Sequence, residues 1–142
     1  MLLKINLGFK MSTRSITFVY TDSMFGQPEE PILKLCTHGD GYPSAYGLEL
    51  ANFINSKEIV NGLNSGLDMD KIANGMDCLG AQLIAHLKKK PGKYYLLPLY
   101  PKKDDNGSYD YVYHVHKSFV EVIGNPSFVG SWEHFGKFCA DN

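Results

Sequence analysis

The residues most able to do chemistry are gathered in one turn, Thr37-His38-Gly39-Asp40-Gly41-Tyr42-Pro43-Ser44. It sets an imidazole, a carboxylate, a phenol and two glycines side by side. Gly39 and Gly41 permit φ > 0 and a close backbone approach. A helix start behind them would add free N–H groups, and together these make an anion cradle. His38 could donate to a phosphate or carry a proton near neutral pH. Asp40 could orient that imidazole or accept from a sugar hydroxyl, and Tyr42 could stack on a base or ring. The glycine spacing is that of neither a Walker loop nor a dinucleotide fingerprint. The competing reading is a plain turn, with Asp-Gly as its turn dipeptide, Tyr42 packed on the helix and His38 closing a strand.

Arg14 is the only arginine in the chain. It opens a strand-like run, and a favourable hairpin register would bring it beside the turn. There its guanidinium would pair with Asp40 or with a ligand phosphate. The residues read as ligand-binding are therefore Arg14, His38, Asp40, Gly41 and Tyr42. A second constellation is His114-Val115-His116. Strand alternation puts both imidazoles on one face with Val112 and Asp110, and Tyr109, Tyr111 and Tyr113 on the other. Two such histidines are weak metal candidates that His38 or Asp40 would have to complete. An exposed polar face is the plainer account. A start at Met11 would leave Ser12 as an N-terminal nucleophile, but the ten residues before Met11 argue against it.

The elements that must position these groups can be read from periodicity. Ser15 to Tyr20 and Ile32 to Thr37 are β-rich runs that form a hairpin around a loop with Pro28 and Pro31. Ser44 suits a helix N-cap, and Tyr46, Leu50, Phe53 and Ile54 make one apolar helical stripe ending near Asn55. Residues 61–70 form a connector, and Asp70 suits the cap of a second helix. That helix carries Ile72, Met76, Leu79, Leu83 and Leu87. Lys88-Lys89-Lys90 closes it at its cation-favouring end, and Pro91-Gly92 stops it. Residues 93–100 read as an edge strand because of Pro98. Asp104-Asp105-Asn106-Gly107 signals a hairpin turn. Tyr109 to His116 is the strongest strand, with Phe119 to Ile123 continuing it or forming a third. Ser131 to Phe138 is a terminal helix with Trp132, Phe135 and Cys139 at helical spacing. The pattern predicts an α+β fold: one antiparallel or mixed sheet of about five strands, with two to three helices on one face.

A chain of 142 residues is of single-domain length, and residues 1–10 alternate as a peripheral strand would. Net charge of −1 argues against bulk nucleic-acid binding. No apolar run approaches the length of a membrane span; a cytoplasmic location is the expectation, from the cysteines. Three widely spaced cysteines, Cys36, Cys78 and Cys139, read as buried reduced thiols. No motif specifies a cofactor.

Ser12-Thr13-Arg14-Ser15 opening one strand and His38-Gly39-Asp40-Gly41-Tyr42-Pro43 closing the next resemble a family of small uncharacterised proteins from phages and mobile elements. These carry a T-R-S near the start and an H-x-D-G-Y-P loop before a helix. The commoner form has tryptophan at x, where this chain has Gly39. The resemblance covers about residues 12–54. It implies a phage-type accessory protein in the host cytoplasm, which sequesters a ligand or inhibits a host enzyme or defence system. Three expectations follow, in this order: a module binding a nucleotide-like or other anionic ligand or a host protein; an interaction domain, dimeric through a Tyr-rich strand; and a hydrolase using His38 and Asp40, with His114 and His116 holding a metal.

Overall fold

The computed structural model describes residues 13–23, 26–100 and 108–142. The expected N-terminal strand, Ser12 and the Asp104-Asp105-Asn106-Gly107 turn lie outside the described residues. β1 (Arg14–Tyr20) and β2 (Pro31–His38) form the expected antiparallel hairpin. The remaining strands are β3 (Glu58–Val60), β4 (Ile72–Asn74), β5 (Tyr94–Leu96), β6 (Tyr111–Val115), β7 (Val120–Ile123) and β8 (Phe128–Gly130). The helices are α1 (Leu48–Asn55), α2 (Gly75–Leu87) and α3 (Trp132–Asp141). Among the described residues, six strands make one mixed sheet in the order β5-β2-β1-β6-β7-β8, and β3 and β4 form a separate parallel pair. The fold is α+β as expected, with one more strand in the main sheet. β3, β4 and β8 span only three residues each, too few to show a period.

Alternation divides the sheet into two faces. Val19, Leu35, Tyr113, Val115, Val120 and Val122 point to one, where all three helices bury Leu50, Ile54, Met76, Leu79, Leu83, Phe135 and Cys139. Ile16, Phe18 and Val112 point to the other, beneath Leu97, Tyr20 and Tyr109. Tyr109 thus departs from its expected side: it precedes β6, and the chain there turns over the second face. The stripe Tyr46, Leu50, Phe53 and Ile54 is buried throughout, as expected. Cys36 and Cys139 are buried and Cys78 is half-buried, and none of the three is in a disulfide.

Two helix starts differ from expectation. Pro43–Gly47 winds as a wide turn, in which Gly47 N–H donates to the Tyr42 carbonyl and Tyr46 N–H to that of Asp40. Ser44 lies inside this turn and caps nothing. Asp70 caps no helix, because Ile72 is drawn into β4 beside Glu58 and α2 begins at Gly75. The lysine closure is as expected: Lys88 Nζ donates to the carbonyls of Gly92 and Tyr94, and Lys89 Nζ to that of Ala85.

The core is cross-braced by phenols. Tyr46 shares a 2.6 Å hydrogen bond with Thr17 Oγ1, and Tyr113 donates to the Gly41 carbonyl at 2.8 Å. Burial raises the pKa of both Tyr46 and Tyr113 well above the ordinary phenol value. Burial, with Glu121 and Glu29 nearby, takes Tyr20 up to about 12, and burial takes the Cys139 thiol up to about 12. Below about pH 9 these groups are neutral in both states; above it the unfolded chain loses protons that the folded chain retains. Stability should therefore fall steadily above about pH 9. An alkaline titration followed at the tyrosinate band should show Tyr46 and Tyr113 ionising only as the near-ultraviolet circular dichroism collapses. Ionisation of all nine tyrosines near pH 10 in the folded state would refute this.

Candidate functional site

The corner after β2 is built on a close contact. A Cβ on Gly41 would sit 2.9 Å from the Cβ, backbone N and Oγ of Ser15. Gly41 N–H donates to the Thr13 carbonyl at 3.1 Å, and its own carbonyl takes the Tyr113 hydroxyl. The corner is thereby riveted to the start of β1 and to the core. Gly41 is buried scaffold, which corrects its expected role as a ligand contact. The left-handed residues are Gly39 (φ 81) and Asp40 (φ 56), immediately before it. The amide cradle is likewise not open: the N–H groups of Ala45, Tyr46 and Gly47 are bonded to the carbonyls of Tyr42 and Asp40. The exposed polar side chains at this corner are those of Arg14, His38 and Asp40.

Those side chains are presented outward. Register places Arg14 directly opposite His38 across β1 and β2, so their Cβ atoms lie about 5 Å apart on one face. Arg14 is held by Asp110: its N–H donates to Asp110 Oδ2 at 3.1 Å, and its carbonyl accepts from Asp110 N–H at 3.0 Å. His38 is held by its own N–H, which donates to the Lys93 carbonyl at 2.8 Å. Its ring lies 4.9 Å from that of half-exposed Tyr95. Arg14, His38 and Asp40 are all exposed, and Tyr42 is half-buried. Among the described residues, the guanidinium of Arg14, the imidazole of His38 and the carboxylate of Asp40 have no hydrogen-bond or ion-pair partner. The expected Arg14–Asp40 pair is absent from that set, and so is a His38–Asp40 dyad.

Backbone strain gathers at the same place. The non-glycine residues with positive φ are Asp40 and Lys93 (φ 66), among the described residues. One follows His38 by two positions and the other bonds to its amide. Left-handed backbone costs an L-residue about 1–2 kcal/mol, less for Asp than for Lys. Asp40→Gly should therefore leave the melting temperature unchanged or raise it, with about 0.5–1 kcal/mol of relief for a residue that is kept against the fold's interest. Thermal melts of the variant and the parent check this; a clear fall would show that the Asp40 carboxylate is a structural bond.

His114 and His116 do share one face, as alternation requires. They lie at the far end of the strands, however. His114 pairs with Phe18, four residues and about 13 Å along β1 from Arg14. His38 and Asp40 cannot complete a metal set with them, and no group of three or more His, Cys, Asp or Glu converges among the described residues. Their surroundings also correct the exposed-face reading. His114 stacks on Phe18 at 5.1 Å and bonds the Tyr20 hydroxyl through Nδ1 at 2.7 Å. His116 is sandwiched between Tyr20 and Phe119, at 4.1 and 4.3 Å, and its Nδ1 meets Glu29 at 2.8 Å. With Lys117–Asp22 at 3.0 Å, this ties the loop after β1 to the β6–β7 turn. His116→Ala removes both stacks and leaves half-buried Glu29 unpaired, so we expect a loss of about 2 kcal/mol in urea unfolding. A variant as stable as the parent would show that the latch carries no weight.

The sequence reading missed Lys93, Tyr95 and Asp110 at the corner, and Tyr20 and Glu29 at the latch. For Lys93 and Tyr95 a signal did exist: a basic and an aromatic residue opening the strand that was expected at an edge. Comparisons with protein-family models, with curated proteins and with solved structures gave no match. No described helix is long and apolar enough to cross a membrane.

Proposed function

We propose that the protein is a small binding module that captures a nucleotide-like or other anionic ligand on the Arg14–His38 pair. The observation that carries this reading is the pair itself. Arg14 and His38 face each other across paired strands, both exposed, and neither side chain has a hydrogen-bond or ion-pair partner among the described residues. Arg14 is the group suited to a bidentate phosphate contact. Tyr95 offers a ring face beside His38, and Asp40 offers an acceptor for a hydroxyl or an exocyclic amine. The role fits an accessory protein of the phage type that the Thr13-Arg14-Ser15 and His38-to-Pro43 motifs resemble: sequestering a signal nucleotide would blunt a host defence. Without a His38–Asp40 dyad, simple capture is favoured over hydrolysis.

Differential scanning fluorimetry against inorganic phosphate, mononucleotides and dinucleotides tests the reading. A saturable rise of several degrees with at least one phosphorylated probe is expected, and none with the matching nucleoside. No shift with any of them overturns it.

A further inference from the structure

We propose that the groove between β5 and the C-terminal end of α2 docks an extended acidic peptide segment of a partner protein, anchored by an apolar side chain. The cavity is about 340 Å³, at the small end of ligand-sized pockets. Leu35 forms its floor, Ile84 and Leu87 its α2 wall, and Tyr94, Tyr95 and Leu96 its β5 wall. Leu96 is 65% exposed and Tyr95 47%, a large apolar surface for so small a chain.

Among the described residues, the backbone beside the groove also has an unpaired stretch. His38 N–H bonds to the Lys93 carbonyl and Leu97 N–H to the Lys34 carbonyl. Alternation then turns the N–H and C=O of Tyr94 and Leu96 away from β2. The Tyr94 N–H donates to the Gly92 carbonyl and Lys88 Nζ covers the Tyr94 carbonyl, so among the described residues Leu96 is the open rung of this edge. An extended peptide lying along it would bond there and drop alternate side chains into the groove.

Charge selects the peptide. The rim from 88 to 93 carries Lys88, Lys89, Lys90 and Lys93, all exposed, with no acidic residue among them. In a chain of net charge −1 this is a local positive patch, complementary to an acidic partner. It also disfavours a second copy, since an isologous β5–β5 contact would set these lysines against their own images. A nearly all-apolar floor suits a leucine-like side chain better than a phosphate backbone.

The test uses the full chain and three labelled probes in fluorescence anisotropy: Glu-Glu-Leu-Thr-Leu-Thr-Leu-Glu-Glu, the same peptide with Lys flanks, and the Glu-flanked peptide with serine for leucine. The first should bind at least about tenfold tighter than either other. Leu96→Asp should weaken it about tenfold, and Lys90→Glu should weaken it too, while both variants keep the parent's melting temperature and phosphate response at Arg14. Equal binding of the Glu- and Lys-flanked probes, no binding of the first, or full binding by Leu96→Asp overturns the proposal. So does a dimer in sedimentation that Leu96→Asp dissolves, which would give the face to a second copy.

Discussion

Arg14→Gln should weaken binding of a phosphorylated ligand about 100-fold while leaving the fold intact. A charge-assisted contact to phosphate is worth about 1.5–3 kcal/mol, and a bidentate one lies at the top of that range. Glutamine keeps a hydrogen-bond donor but loses the charge and the fork. The fold should be indifferent, because the Arg14 side chain is exposed and only its backbone is tied, to Asp110. Isothermal titration of parent and variant separates the two effects. Arg14→Lys is informative beside it: charge alone would restore most of the affinity, whereas bidentate recognition would leave most of it lost. A variant that binds like the parent would place the ligand elsewhere.

The second large effect is on stability. Gly41→Ala should lower stability by about 2–3 kcal/mol, or roughly 10 °C in melting temperature for a chain this size. The added Cβ would meet three atoms of Ser15 at 2.9 Å, one of them backbone. Relief by rotamer change is therefore closed, and the corner must lift. Lifting it weakens the Gly41 bonds to Thr13 and to buried Tyr113, and a buried hydroxyl left unsatisfied adds its own penalty. Ligand binding should fall as well, since the lifted corner no longer holds the turn that carries His38 and Asp40 in place. Melting curves by circular dichroism decide the matter, and a shift within about 1 °C would mean that the contact is loose.

Much of this corner was legible from residue types. Alternation in Ser15 to Tyr20 and Ile32 to Thr37 gave the hairpin, and the hairpin brought Arg14 to His38. What was not legible was which residue takes the left-handed turn. Gly39, Asp40 and Gly41 all tolerate it, so composition cannot choose; the choice was made by Ser15, which needs Gly41 for clearance rather than for φ. Lys93 carries no local signal for positive φ, and its carbonyl is bonded by His38 of another strand. The Glu29–His116 contact spans 87 positions, and no periodicity reports a pair so far apart. Ser44 failed as a cap for a related reason: Asp40 and Tyr42 supply backbone carbonyls to the wide turn, which leaves a side-chain cap nothing to do.

Arg14 and His38, with no hydrogen-bond or ion-pair partner among the described residues, are proposed to be joined by an external anion. The most direct measurement is a nuclear magnetic resonance titration of the labelled full chain with inorganic phosphate and with adenosine monophosphate, followed at the Arg14 Nε–H and the His38 ring. We predict saturable shifts at both residues with one common dissociation constant, together with a smaller response at Asp40 and Tyr95, all abolished in Arg14→Gln. Unmoved Arg14 and His38 signals at millimolar ligand, or shifts that persist in Arg14→Gln, would contradict the account.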